Sequence, residues 1–90
     1  MALYMISYDL HNRRVYTKLY ELLTAWKAQR LLDSLWLAEL RGPAGALRQM
    51  LIDTLDSDDA VAVIELKIGS QWATTRGQQA GVDWLKLHIP

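Results

Sequence analysis

The feature that most constrains this 90-residue chain is an alternation of two apolar periods along its length. Short apolar runs rich in strand formers stand at residues 2–9 (ALYMISYD) and 60–66 (AVAVIEL), and stretches with helical spacing lie between them. In the first run Leu3, Met5, Ser7 and Asp9 share one face, and Tyr4, Ile6 and Tyr8 share the other, because successive strand side chains point to opposite sides. Few positions on either face are polar, which predicts a central strand. Asn12 is the expected N-cap of the next element. The spacing predicts helix one over about Arg13 to Ala28: Val15, Leu19, Leu22 and Trp26 recur at helical intervals, and Tyr16, Tyr20 and Leu23 repeat them one position over. That band is wider than a single sheet contact requires.

Residues 29–40 (QRLLDSLWLAEL) are too short for another core helix. They read as a strand through Leu31–Leu32, a reversal or bulge at Asp33–Ser34, and a strand through Leu35–Leu40. Gly42–Pro43 opens a second helix whose buried stripe is Leu47, Met50, Leu51 and Leu55. The acidic run Asp56–Asp59 stops it, and Ala60–Leu66 follows as a buried strand. The order predicts one α+β domain over residues 1–90, a ferredoxin-like βαββαβ sandwich with both helices on one face of an antiparallel sheet. A short C-terminal extension remains. Lys67–Gly81 reads as loop, and Trp84–Ile89 fits a short helix or a final strand equally.

Hydrophobic residues make up 51% of the chain, enough to exclude disorder. Four Trp and sixteen Leu are many to hide in so small a fold, so some are expected in a subunit interface. The absence of Cys excludes disulfides, thiolate metal sites and a cysteine nucleophile. No apolar run reaches the length of a membrane span, and MALYMISYD lacks the basic start of a signal peptide. A cytoplasmic protein with no membrane partner is expected. Ten basic residues balance ten acidic ones, which argues against gripping nucleic acid through bulk charge. The distribution is uneven, however. Residues 1–30 hold five basic against two acidic side chains, and residues 31–65 hold two against seven. An anionic ligand should prefer the N-terminal third.

Motifs for phosphate loops, nucleophile elbows and HExxH metal sites are all missing. The DSDD run at 56–59 lacks the Gly and Glu of a calcium loop and reads as a solvated helix-to-strand connection. Asp9 stands out. It ends an apolar strand immediately before His11, Arg13 and Arg14, and a strand end holds a carboxylate rigidly enough for metal or acid–base work. Bonding of its own turn or of the start of helix one is the alternative role.

In order along the chain, Ser7–Leu10 (SYDL), Leu32–Leu37 (LDSLWL), the acidic loop through Glu65, and Asp83–Leu85 (DWL) resemble the CRISPR-associated Cas-two family. The pattern is most similar to small SinR-like, Cas-two-like proteins. The resemblance implies a ferredoxin-like homodimer in which Asp9 of each subunit faces its mate and the pair holds a magnesium ion. It further implies cleavage of RNA or DNA, with Arg13 or Arg14 on backbone phosphates and with Tyr8, Ser34 and Trp36 shaping the site. Trp36 would then be available for base stacking, core packing being its other reading. A non-catalytic alternative stands beside this reading. This would be a dimeric scaffold or interaction module for nucleic acid or protein, including a toxin–antitoxin component, with an integrase as partner if the gene lies in a CRISPR locus.

Overall fold

A computed structural model describes residues 1–90. Its elements run β1 (Ala2–Asp9), α1 (Thr17–Ala25), β2 (Gln29–Leu32), β3 (Leu35–Leu40), α2 (Ala44–Ile52), β4 (Ala60–Leu66) and α3 (Gln79–His88). The sheet order is β2-β3-β1-β4 with every neighbour antiparallel. This is the ferredoxin-like βαββαβ arrangement followed by a third helix. The expected interior position of β1 holds, as does the reversal at Asp33–Ser34.

The alternation in β1 divides the core in two. Tyr4, Ile6 and Tyr8 pack with Leu19 and Leu23 of α1 and with Leu47 and Leu51 of α2. Leu3 and Leu37, on the opposite face, pack with Leu31 and with Trp84, Leu85 and Ile89 from the C-terminal segment. The extension is therefore a helix. It lies over the β2–β3 half of the sheet and adds a third layer. Residues 67–78 carry the chain round to that face, held by Gln78 N–H on the Leu31 carbonyl (2.8 Å) and by Trp72 Nε1–H on the Ile89 carbonyl (2.6 Å).

Four sequence expectations need correction. Helix one begins at Thr17 rather than Arg13 and ends at Ala25 rather than Ala28. Its C-terminus closes when Ala28 N–H bonds the Leu23 carbonyl, with Lys27 in the left-handed region (φ 57°), a helix-ending geometry. Asn12 does not cap it, because its side-chain amide is bound to Asp56 and Asp58. Met50 lies outside the buried stripe of α2. β4 is an edge strand rather than a buried one: its α1/α2 face is half covered, but Ala60, Ala62 and Ile64 on the other face are exposed, since α3 does not extend over them. Much of the aromatic surplus is taken up inside the chain, with Trp84 buried and Trp26 and Trp36 packed on the core. No helix is long and apolar enough to cross a membrane.

Candidate functional site

The C-terminal end of β1 gathers most of the residues singled out in the sequence. Asp9 is the last residue of the strand, exposed, on the face that α3 leaves open, and its direct cross-strand neighbour is Ala60. The small side chains around it leave a hollow of about 170 Å³ lined by Ser7, Asp9, Ala60 and Ala62 among others. Neither ion pair in the chain involves Asp9, and no side-chain hydrogen bond reaches its carboxylate. It does not tether its own loop.

One residue earlier the strand alternation turns Tyr8 to the other face, where it is buried. Trp36 donates its Nε1–H to the Tyr8 hydroxyl (3.0 Å), and that hydroxyl donates to the Asp33 carbonyl (3.3 Å). Burial is the main force that pushes the Tyr8 phenol above its ordinary pKa, against the opposing hydrogen bond from Trp36. Ser34 enters through its backbone: its carbonyl accepts the Tyr8 N–H (3.1 Å) and ties the β2–β3 turn to the end of β1. Its side chain is exposed at the rim of a second hollow, of about 500 Å³, which also borders Asp9. Tyr8, Asp9, Ser34 and Trp36 thus share one end of the sheet.

Two further residues of this hollow, Arg30 and Tyr20, were not singled out by the sequence. The Arg30 guanidinium lies 5.1 Å from the Trp36 ring centroid and 5.4 Å from that of Tyr20, within cation–π range. Its Nε and Nη2 both donate to the Asp33 carbonyl. A regular hairpin with Leu32 opposite Leu35 would pair Arg30 with Leu37. A one-residue shift at Leu31 instead places Arg30 opposite Trp36. The bulge turns Leu31 into the α3 core and Arg30 onto the aromatic face. The Leu-Leu-Asp-Ser sequence allows a bulge, but nothing in it places one at Leu31.

Arg13 and Arg14 have different fates. Arg13 is exposed and takes part in no ion pair. Arg14 donates Nε–H to Asp56 (2.8 Å) and Nη2–H to the Thr54 carbonyl (3.2 Å), with its guanidinium 4.1 Å from the Tyr16 ring centroid. The acidic run is therefore more than a solvated connection. Asn12 bridges Asp56 and Asp58, while Asp59 accepts from His11 N–H (2.8 Å) and the Tyr16 hydroxyl (3.0 Å). Burial alone would raise the Asp59 pKa, but the His11, Asp56 and Tyr16 hydrogen bonds and the Arg14 charge hold it below the ordinary carboxylate value.

The magnesium ion implied by the family resemblance fits these residues as half a site. Asp9 offers an unengaged carboxylate beside open space, and no group of three His, Asp or Glu is gathered within one chain. Magnesium is commonly held by one or two carboxylates with waters completing the octahedron, so a second copy of Asp9 would make the set adequate.

No family model and no curated protein matches the chain. Among solved structures, the crystal structure of a hypothetical protein, TT1823 from Thermus thermophilus, aligns with a TM-score of 0.66 at 23% identity, covering 86% of this chain and 94% of that one. At that identity the similarity establishes the fold.

Proposed function

We propose that the protein is a homodimeric, Cas-two-like phosphodiesterase that cleaves RNA or DNA with magnesium held by Asp9 of both subunits. The observation that carries this reading is the freedom of Asp9. The other carboxylates at this end, Asp33, Asp56, Asp58 and Asp59, each accept at least one hydrogen bond, and Asp9 accepts none. A carboxylate fixed at a strand end yet left unsatisfied is suited to a ligand from outside the chain. Asp9 also lies on the sheet face that α3 leaves open, where a second copy of that face can meet it. When bound, magnesium supplies an activated water and charge stabilisation at a scissile phosphate.

The chain's own residues serve binding and orientation. Arg13, which has no acidic partner, contacts backbone phosphates. Arg30 brings a cation to the hollow beside Asp9, and Tyr20 and Trp36 hold that guanidinium over their rings. Ser34 and Tyr8 fix the rim by backbone and hydroxyl contacts.

This reading predicts magnesium-dependent cleavage of an RNA or DNA strand that EDTA abolishes. Asp9→Asn should lower the rate at least 100-fold while the protein remains dimeric by light scattering. Cleavage unaffected by Asp9→Asn would assign the chemistry elsewhere. The Arg30–Tyr20–Trp36 cluster favours a second reading, because it needs no metal to bind a strand. In that case the dimer is a scaffold, working with an integrase in a CRISPR locus, and it binds nucleic acid without turnover under any metal.

A further inference from the structure

Among the five basic residues of the N-terminal third, Arg14 is the one already held by an acid. We propose that Asp56 stands on Arg14 where a phosphate of a bound strand would stand, so that the acidic loop masks Arg14 until a strand displaces it. The inference rests on the nucleic-acid reading above and concerns binding, not turnover.

The geometry of the contact suits an exchange. A guanidinium recognises carboxylate and phosphate oxygens through the same planar fork of donors. Asp56 Oδ2 accepts from Arg14 Nε at 2.8 Å, and Nη2 turns to the Thr54 carbonyl at 3.2 Å. Arg14 is 40% exposed and Asp56 38%, and an ion pair that open to water is weak and screened by salt. Breaking it strands neither partner. Asp56 keeps its bond from Asn12 (2.9 Å), and its own N–H stays on Asp59 (2.9 Å). Arg14 keeps its place against the Tyr16 ring. The hydrogen bonds that Asp59 accepts from His11 and Tyr16 involve neither the Arg14 guanidinium nor the Asp56 carboxylate, so the loop can release Arg14 without unfolding.

The loop also sets a threshold. Asp56, Asp58 and Asp59 lie within four residues of one another in sequence and concentrate negative charge beside Arg14. A phosphate approaching Arg14 alone meets that charge. A strand already anchored on Arg13 brings its next phosphate at high local concentration and can compete.

The test is fluorescence anisotropy of a labelled single-stranded oligonucleotide with the full chain, from 50 to 300 mM salt, for wild type, Asp56→Asn, Arg14→Gln and the double variant. Asp56→Asn keeps an acceptor oxygen for Asn12 and removes the charge. It should bind about 3–10-fold tighter at low salt, because the strand has no carboxylate to displace from Arg14, and the gain should shrink as salt screens the pair. Arg14→Gln should cancel that gain in the double variant. A gain that survives Arg14→Gln, or no gain from Asp56→Asn, overturns the clasp while leaving the nucleic-acid reading intact. No binding by any variant defeats the nucleic-acid reading itself. Should Asp56→Asn fold poorly, the wild-type protein carries the test. The Arg14 Nε–H resonance must then shift on saturation with the oligonucleotide, and a signal that stays fixed overturns the proposal.

Discussion

Asp59 does at residue scale what the helix cap was expected to do. It gathers the His11 amide, the Asp56 amide and the Tyr16 hydroxyl on one carboxylate, and so fixes the segment between Asp9 and α1. Its pKa in the folded chain lies below the ordinary value near 3.8 because those bonds and Arg14 outweigh burial. A depressed carboxylate contributes stability that is fully present above the unfolded pKa and is lost as pH falls through the folded one. Asp59→Asn should therefore be less stable than wild type at neutral pH, and urea melts should show the gap narrowing as pH drops below about 4. A gap that stays constant down to pH 2 would deny Asp59 this role. Tyr8 offers a second measurement. Removing its hydroxyl with Tyr8→Phe leaves the Trp36 Nε1–H and the Asp33 carbonyl without that partner, which should cost about 1–2 kcal/mol. Trp36 fluorescence should change in the same variant, and an unchanged urea midpoint would show the bond to be dispensable.

At the scale of elements, sequence period and structure agree wherever one face of an element meets one layer. β1 and β3 are of this kind, and the reversal between β2 and β3 falls where expected, whereas α2 keeps only Leu47 and Leu51 of its expected stripe, with Met50 exposed and Leu55 beyond its end. Disagreement begins where distant residues compete for the same backbone. The start of helix one depends on Asp56–Asp59, more than 40 positions away from Asn12 and Arg14, and no local pattern announces such a partner. The site was legible to the same degree. Tyr8, Asp9, Ser34 and Trp36 do converge, whereas Arg30 needed the bulge at Leu31, which is set by packing against α3. That packing is close. Gly81 of α3 lies so near β2 that a Cβ there would sit 2.5 Å from the Leu31 Cα and 2.8 Å from the Arg30 carbonyl oxygen. These are backbone atoms and cannot swing aside, so Gly81→Ala should lift α3 and destabilise the fold by about 1–3 kcal/mol. Red-shifted Trp84 emission and a lowered urea midpoint would report the lift. An alanine tolerated without loss would mean that the helix can slide on the sheet.

The whole molecule is three layers on one side and two on the other. Helices α1 and α2 cover one sheet face. On the opposite face α3 covers the β2–β3 half, and its cluster reaches Leu3 and Met5 of β1. The end of the β1–β4 half around Ser7, Asp9 and residues 60–64 has no covering helix. Its side chains are small or apolar: Ser7 on β1, and Ala60, Ala62 and Ile64 on β4, with Ile64 49% exposed. A patch of this kind is a contact surface more often than a solvated one, and Asp9 stands at its end. Packing that face on a second copy about a two-fold axis makes residue i of one chain meet residue j of the other and the reverse. It supplies the second carboxylate without any further sequence. A charge at the centre of such a contact is costly when buried unpaired, yet costs the free monomer little at a half-exposed edge position. Ile64→Asp should accordingly stay folded by circular dichroism, scatter light as a 10.3 kDa monomer and lose magnesium-dependent cleavage together with the dimer. A wild-type chain that is monomeric at micromolar concentration would leave Asp9 without its mate. An Ile64→Asp variant that stays dimeric would move the contact to another face.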